Sequence, residues 1–535
     1  MHTGSFFGTR KSRALSLLAV LTGLVGPALR LDADAPPATP AAAGDPADPP
    51  QGVFSDTWYA VRIKGAKAGY MHSVMRREGD IVVSKNETVI KVGRSGLPLT
   101  ITMHQASRET VAGVPLAFDN EVNMAATKMG FHGTIDKGKL TLVSEQFGNQ
   151  QTAVYDYDPR CKLSWGAVLE QNERGLEPGT RYRTFIYDPS LRLESPLPVD
   201  VHVEGKEVID LFGRKTEATR VVQAMKVPSA GVVLKPDQPT NGLSITTTVW
   251  CDDQGIPLMT KANMMSIELE IIQCAEAYAR SANEPPEMFI NSLIKVDKRI
   301  DAAAARKITY HLEVRGEDGR LPDLPETGMQ KVIRRDARSA TLEVSRQDHR
   351  SLATAEPRTP PDDLADYLKD SLYLNHKDPK LREMAKAAAG DEMQPYKLAD
   401  KLRKYVTENI REKNLSIGFA TASEVARSRE GDCTEHAVLL AALARANGLP
   451  ARAVSGIIYV ETFLGRQRVF SYHMWTQVYL GGQWVDLDAA QHQTDCDPTH
   501  IALNLLPLND EGLADAALSL LNVIERLKID TRRIE

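Results

Sequence analysis

Alternation of apolar and polar residues dominates the first half of the chain. From Trp58 onward the pattern has the period of two expected of half-buried strands, broken by glycine-containing turns, as in WYAVRIKGAKAGYMHSVM. Similar runs recur at Leu140–Val143, Tyr182–Ile186, Val199–Val203, Ala218–Val222 and Ile245–Trp250. They predict a large, mostly antiparallel β domain over residues 53–285. A second short strand-like segment, ITYHLEVRG to SATLEV, predicts a small accessory β unit within 286–350. After RTPPDD (Arg358–Asp363), which reads as a hinge, the period changes to that of helices. Asp362–Leu374, Lys380–Ala388 and Pro395–Lys413 carry apolar residues at helical spacing, the last with Leu398, Leu402, Val406 and Ile410 on one stripe. Thr421 followed by Glu424 is a capping box opening the next helix. The expected class is α+β, with a C-terminal α+β domain over 360–535.

Within that last domain, GDCTEHAVLL places Cys433 in the first turn of a helix that ends at Gly448-Leu449-Pro450, a glycine-then-proline stop. The free N–H groups and positive dipole end at a helix start favour a thiolate and can bind an oxyanion. Two alternating runs follow, Ala451–Val460 and Val469–Leu480. Gly481-Gly482 then joins the second to Gln483–Asp488, a two-residue hairpin signal. Pairing Leu480 with Gln483 puts Trp475 opposite Asp488 and His473 opposite Ala490. His473 and Asp488 then become diagonal neighbours on one face, about 7–8 Å apart at the backbone. Asp486 shares the face but lies two positions further away, so the register selects Asp488; a one-residue slip would reverse the choice.

These residues fit a thiol nucleophile, Cys433, with His473 as base and Asp488 as its orienting carboxylate. The Cys433 N–H is a candidate oxyanion donor, with a second expected from the segment before Thr421. Trp475 and Trp484 are candidates either for walling a substrate site or for filling the sheet's core. Glu435 and His436 read as first-turn residues of the helix. A competing reading takes Cys433, His436, His473, Asp488 and Cys496 as a zinc site, but their spacing matches no recurrent metal pattern. No metal or other cofactor is expected, and no calcium loop of the D-x-[DN]-x-[DN]-G kind is present.

GDCTEHAVLLAALARANGLPARAVSG and YHMWTQVYLGGQWVDLDAA resemble the core of the bacterial transglutaminase-like family, closely over Thr421–Ala490 and more loosely over 360–535. The resemblance implies a papain-like fold with the same Cys433, His473 and Asp488. It also implies acyl-enzyme chemistry on peptide or amide bonds of a protein or peptide substrate. Hydrolysis and crosslinking share the first half-reaction. Transfer to an amine requires excluding water at ~55 M, and nothing in the sequence marks a water-excluding tunnel, which favours a peptidase or amidase. The alternative is a non-catalytic envelope or surface binding protein on a degenerate scaffold.

Composition narrows the setting. With 535 residues the chain is too long for one core, and its 65 basic and 70 acidic side chains leave a net charge of −5 with no basic patch for nucleic acid. Arg10, Lys11 and Arg13 precede the apolar run Ala14–Leu29, the order of a secretory signal or an N-terminal anchor over 1–31. The run is shorter than the roughly 20 residues of a membrane span. A Pro/Ala/Asp-rich linker at 32–52 follows. The expectation is an extracytoplasmic protein whose membrane tethering, if any, is through this segment. Five cysteines, 161, 251, 274, 433 and 496, are too few for a disulfide scaffold. Cys251–Cys274 is the candidate bridge, and the odd count leaves at least one thiol free.

Overall fold

The computed structural model describes residues 48–535 apart from 95–96, 125–126, 147–148, 189–195, 229–241, 265–266, 317–318, 350, 353–360, 372, 413–419 and 509–522. The expected signal or anchor at 1–31 and most of the linker lie outside the described residues. Among those described, no helix is long and apolar enough to cross a membrane. The described chain forms two compact units, one containing Pro98–Pro286 with the strands before Gly93, the other Glu287–Glu535.

The N-terminal unit is built on a 15-stranded sheet. Its order follows the chain outward in both directions from Gly52–Ile63, which pairs antiparallel with Ala66–Glu78 on one side and Ile267–Cys274 on the other. The period-two alternation of the sequence thus becomes two meanders, one running out from Gly52–Ile63 and one ending at Ile267–Cys274, joined where these two strands pair. The parallel exception is the short strand Cys161–Lys162 beside Arg181–Ile186. Helix Ser164–Arg174 is anchored on this unit by a buried carboxylate: Glu109 Oε2 accepts from Trp165 N at 2.6 Å, and Oε1 accepts from Gly166 N at 2.8 Å. All five cysteines are free, so the Cys251–Cys274 bridge is not formed. The isolated histidines of this unit include two in local pairs, His72 with Asp56 and His132 with Asp119.

The C-terminal unit is α+β. Helices Pro379–Ala389, Pro395–Asn409, Ala422–Ser428 and Cys433–Ala446 pack together, and the last lies against the strand Arg466–Leu480. Asp362–Leu368 is a short 3-10 helix rather than the start of a longer α-helix. The central sheet runs Ile294–Lys295, Arg466–Leu480, Ala451–Phe463, Ile501–Leu506, with Gln483–Leu487 on Arg466–Leu480. A second sheet of four strands joins Gln330–Arg335, Ser339–Ser345 and Lys307–Val314 to the C-terminal strand Leu527–Ile534. The strands expected as an accessory unit therefore share a compact unit with the helical region. They also share a core with the central sheet, in which Tyr310 and Leu312 pack with Ile457, Phe470 and Ile501. The Gln330 side-chain amide ties them to the central sheet, donating to Ala502 O at 2.9 Å and accepting from Ala502 N at 3.0 Å.

Candidate active site

Two successive capping boxes deliver Cys433. Thr421 and Glu424 cap the helix Ala422–Ser428. Arg429 then takes a left-handed conformation, and Asp432 with Glu435 forms a second box that opens the helix at Cys433. Asp432 Oδ1 accepts from Thr434 N at 2.9 Å, while Glu435 Oε2 accepts from Asp432 N at 2.9 Å and Oε1 from Ala420 N at 3.2 Å. Gly431, at φ 149°, has no room for a side chain, because a Cβ would stand 2.3 Å from that of Glu435. Glu435 is thus a buried structural acid rather than a surface decoration of the first turn. His436 is also buried, with Nδ1 2.6 Å from Asp432 O.

The hairpin register is as the glycine pair predicts. Leu480 pairs with Gln483, Tyr479 with Trp484, Gln477 with Asp486 and Thr476 with Leu487. The ladder stops there, because Asp488 turns away to bridge Gln493, its N and O bonding the Gln493 O and N at 2.8 Å each. The expected His473–Ala490 pairing therefore does not form. The predicted diagonal does: His473 Nε2 and Asp488 Oδ2 are 2.6 Å apart, with both residues buried. Asp486 is engaged elsewhere, accepting from Trp475 Nε1 at 2.7 Å and Gln477 Nε2 at 2.9 Å.

Cys433, half-buried, lies against the same strand, where the backbone N–H of Met474, next to His473, donates to its sulfur. Burial raises its thiol well above the ordinary value, and the carboxylates of Asp432, Glu435 and Asp488 add to the rise. Proximity to Asp432 thus opposes the helix-start effect expected from the sequence. Since Nε2 of His473 is committed to Asp488, Nδ1 is the ring nitrogen left to receive a proton. Asp488 keeps its charge: burial works against it, but His473 and then His500 hold its pKa well below the carboxylate range.

His500 escaped the sequence reasoning. Its Nε2 is 3.1 Å from Asp488 Oδ2, the oxygen already shared with His473, and its Nδ1 is 3.1 Å from Asp497 O. It stands at the start of a strand outside the hairpin, where no spacing rule connects it to Asp488. Trp475 is buried in the sheet, near-parallel to the His473 ring at 6.2 Å and edge-on to His500 at 5.2 Å. It packs behind these groups. Trp484 lies at the turn end of the hairpin, stacked under Arg452 with Cζ 4.0 Å from the ring and against Tyr367, so the structure does not bring it to Cys433. The zinc set drawn from the sequence does not assemble. The convergent group among the described residues is His473, Asp488 and His500, with ligand-type atoms within 4.8 Å and no cysteine, and its contacts are the hydrogen bonds just given. The segment expected to supply a second oxyanion donor falls on 413–419, outside the described residues.

Against this geometry stand the likenesses to known proteins. The family model of the transglutaminase-like superfamily matches residues 382–489. Among solved structures the chain is similar to a candidate cysteine protease from Cytophaga hutchinsonii, at 16% identity over 43% of this chain and 89% of that one, with a TM-score of 0.30. It is also similar to a β-barrel-like protein of a domain of unknown function from Brucella abortus, at 12% identity over 42% of this chain and 97% of that one, TM-score 0.33. A candidate protease from Parabacteroides distasonis shares 10% identity over 68% of this chain and 64% of that one, TM-score 0.18. No curated protein is significantly similar. Cys433 thus stands at the start of a helix against the strand that carries His473, and His473 is bonded to Asp488, within the region of the C-terminal unit, residues 382–489, that matches the transglutaminase-like superfamily.

Proposed function

We propose that this chain is an extracytoplasmic thiol enzyme that cleaves peptide or amide bonds through an acyl-enzyme on Cys433. The observation carrying the proposal is the 2.6 Å bond between His473 Nε2 and the buried Asp488 carboxylate, which leaves Nδ1 as the ring nitrogen available to a proton from the thiol. In the first half-reaction His473 Nδ1 takes the Cys433 proton as sulfur adds to the carbonyl carbon. The imidazolium, stabilised by Asp488, then returns that proton to the departing amine, leaving a thioester. Water, deprotonated by the same nitrogen, releases the acid and restores the thiol. The raised thiol pKa suits this order of events, in which the proton moves as the bond forms. Hydrolysis is preferred to crosslinking because an amine acceptor must outcompete water at ~55 M. Export is inferred from the basic-then-apolar N-terminus, Arg10–Leu29.

The test is trapping with a peptide library carrying an acyl-reactive electrophile, read by mass spectrometry on wild type, Cys433→Ser and His473→Ala. A covalent adduct on Cys433 that His473→Ala slows by orders of magnitude is expected. Labelling that ignores His473 would leave a binding module on an inactive scaffold.

A further inference from the structure

Asp488 is served by two imidazoles, and only one belongs to the proposed nucleophile pair. Its Oδ2 lies 2.6 Å from His473 Nε2 and 3.1 Å from His500 Nε2, and its Oδ1 accepts from Gln491 N at 2.9 Å. The second imidazole is itself held from behind, with His500 Nδ1 3.1 Å from the Asp497 carbonyl. Asp497 is fastened in turn by Gln493 Nε2 at 2.7 Å on Oδ2 and by Thr499 N at 2.9 Å on Oδ1. Both ring nitrogens of His500 face oxygens that can only accept, a carboxylate and a backbone carbonyl. Satisfying both requires a proton on each nitrogen, and a ring so protonated is a cation.

We propose that His500 is a positioning residue of this site, a buried imidazolium that shares Asp488 Oδ2 with His473, fixes the carboxylate's aim and limits the charge it lends to His473. The proposal rests on the thiol-enzyme reading above. The groups facing His500 are Asp488, Asp497 and Cys496 from the loop after the hairpin, Asp486 from the hairpin strand, and the His473 and Trp475 rings from Arg466–Leu480. Burial alone would strip its proton, yet Cys496, Asp488 and Asp497 together hold its pKa well above the ordinary histidine value. A fixed positive charge beside Asp488 offsets part of the carboxylate's pull on His473, the other imidazole that shares its Oδ2.

His500→Gln keeps a donor toward Asp488 and removes the charge. The experiment is the pH dependence of Cys433 alkylation by iodoacetamide, followed by mass spectrometry in the full chain. The pH at which His473 becomes able to take the Cys433 proton should rise in H500Q, moving the rising limb of the profile up by roughly one pH unit, whereas Asp488→Asn moves it down. A rising limb unmoved in H500Q, with only the rate reduced, overturns the proposal in favour of plain packing. Histidine-selective 15N NMR of the wild-type chain gives an independent reading. Both His500 nitrogens should be protonated at neutral pH, and a neutral tautomer there overturns the proposal even if H500Q does not fold. Wild-type alkylation that is indifferent to His473→Ala would sink the enzyme reading, and the NMR result would still decide the state of His500.

Discussion

Gly456 lies directly across the strand ladder from His473. A Cβ at that position would stand 2.2 Å from the Ile501 carbonyl oxygen and 2.7 Å from the Trp475 ring. The missing side chain is what lets the strand Ile501–Leu506, Trp475 and His473 close up together. Gly456→Ala is therefore expected to force these apart, at about 1–3 kcal/mol of overpacking. Urea unfolding measures that cost, and the alkylation rate of Cys433 should fall further than the stability loss explains, because the displaced group is beside the base.

The two hairpin carboxylates are expected to separate cleanly in kinetics. Asp488→Asn removes the charge that stabilises protonated His473 and presents an amide to Nε2. By analogy with the carboxylate of serine-protease triads, turnover should drop on the order of 10⁴-fold. Asp486→Asn disturbs the Trp475 and Gln477 bonds but leaves His473 and Asp488 paired. Its cost should appear mainly as a lowered Tm. Steady-state kinetics and thermal melts on the two variants check the division.

Native thiol counting gives a simple outcome. Cys161, Cys251, Cys274 and Cys496 are buried and pushed up to about 12, whereas Cys433, although raised as well, is half-buried and has His473 on the adjoining strand to take its proton. Mild iodoacetamide treatment near neutral pH should add one carbamidomethyl group, on Cys433, and unfolding in denaturant should raise the total to five. Intact-mass measurement decides it.

Glu435 ties stability to pH in an unusual direction for a carboxylate. Burial, then the Asp432 charge, pushes it from 4.5 up to about 8. The folded chain thus binds this proton more tightly than the unfolded one. Its contribution is complete below about 4.5 and is lost as pH rises toward about 8. Wild type should lose unfolding free energy over that window relative to Glu435→Gln, whose side chain does not titrate. Urea titrations at several pH values measure the slope. A parallel dependence in both proteins would place the effect in other groups.

Local chemistry explains why so much of the site was legible. Thr421 with Glu424 and the Gly481-Gly482 turn act within a few residues, so backbone geometry alone sets the helix start and the hairpin register. From that register the His473–Asp488 contact followed without knowledge of the rest of the fold. The same arithmetic overran at Ala490, because the turn that takes Asp488 to Gln493 is held by bonds invisible in an alternating pattern. The Asp432–Glu435 box has the D-x-x-E spacing of a cap, but the burial of Glu435 and its bond to Ala420 N come from the fold.

By itself the sequence determined the elements whose causes are short-range: the alternating strands, the capped helix carrying Cys433, and the hairpin that pairs base with carboxylate. Tertiary structure alone decided what depends on burial and distant pairing. It brought His500 onto the oxygen shared with His473 and joined Leu527–Ile534 to Lys307–Val314 across some two hundred residues. It also raised the Cys433 thiol rather than lowering it. Periodicity reports which face of an element is apolar; it carries no information on which distant group will share a buried oxygen, or on how far water is excluded from a thiol.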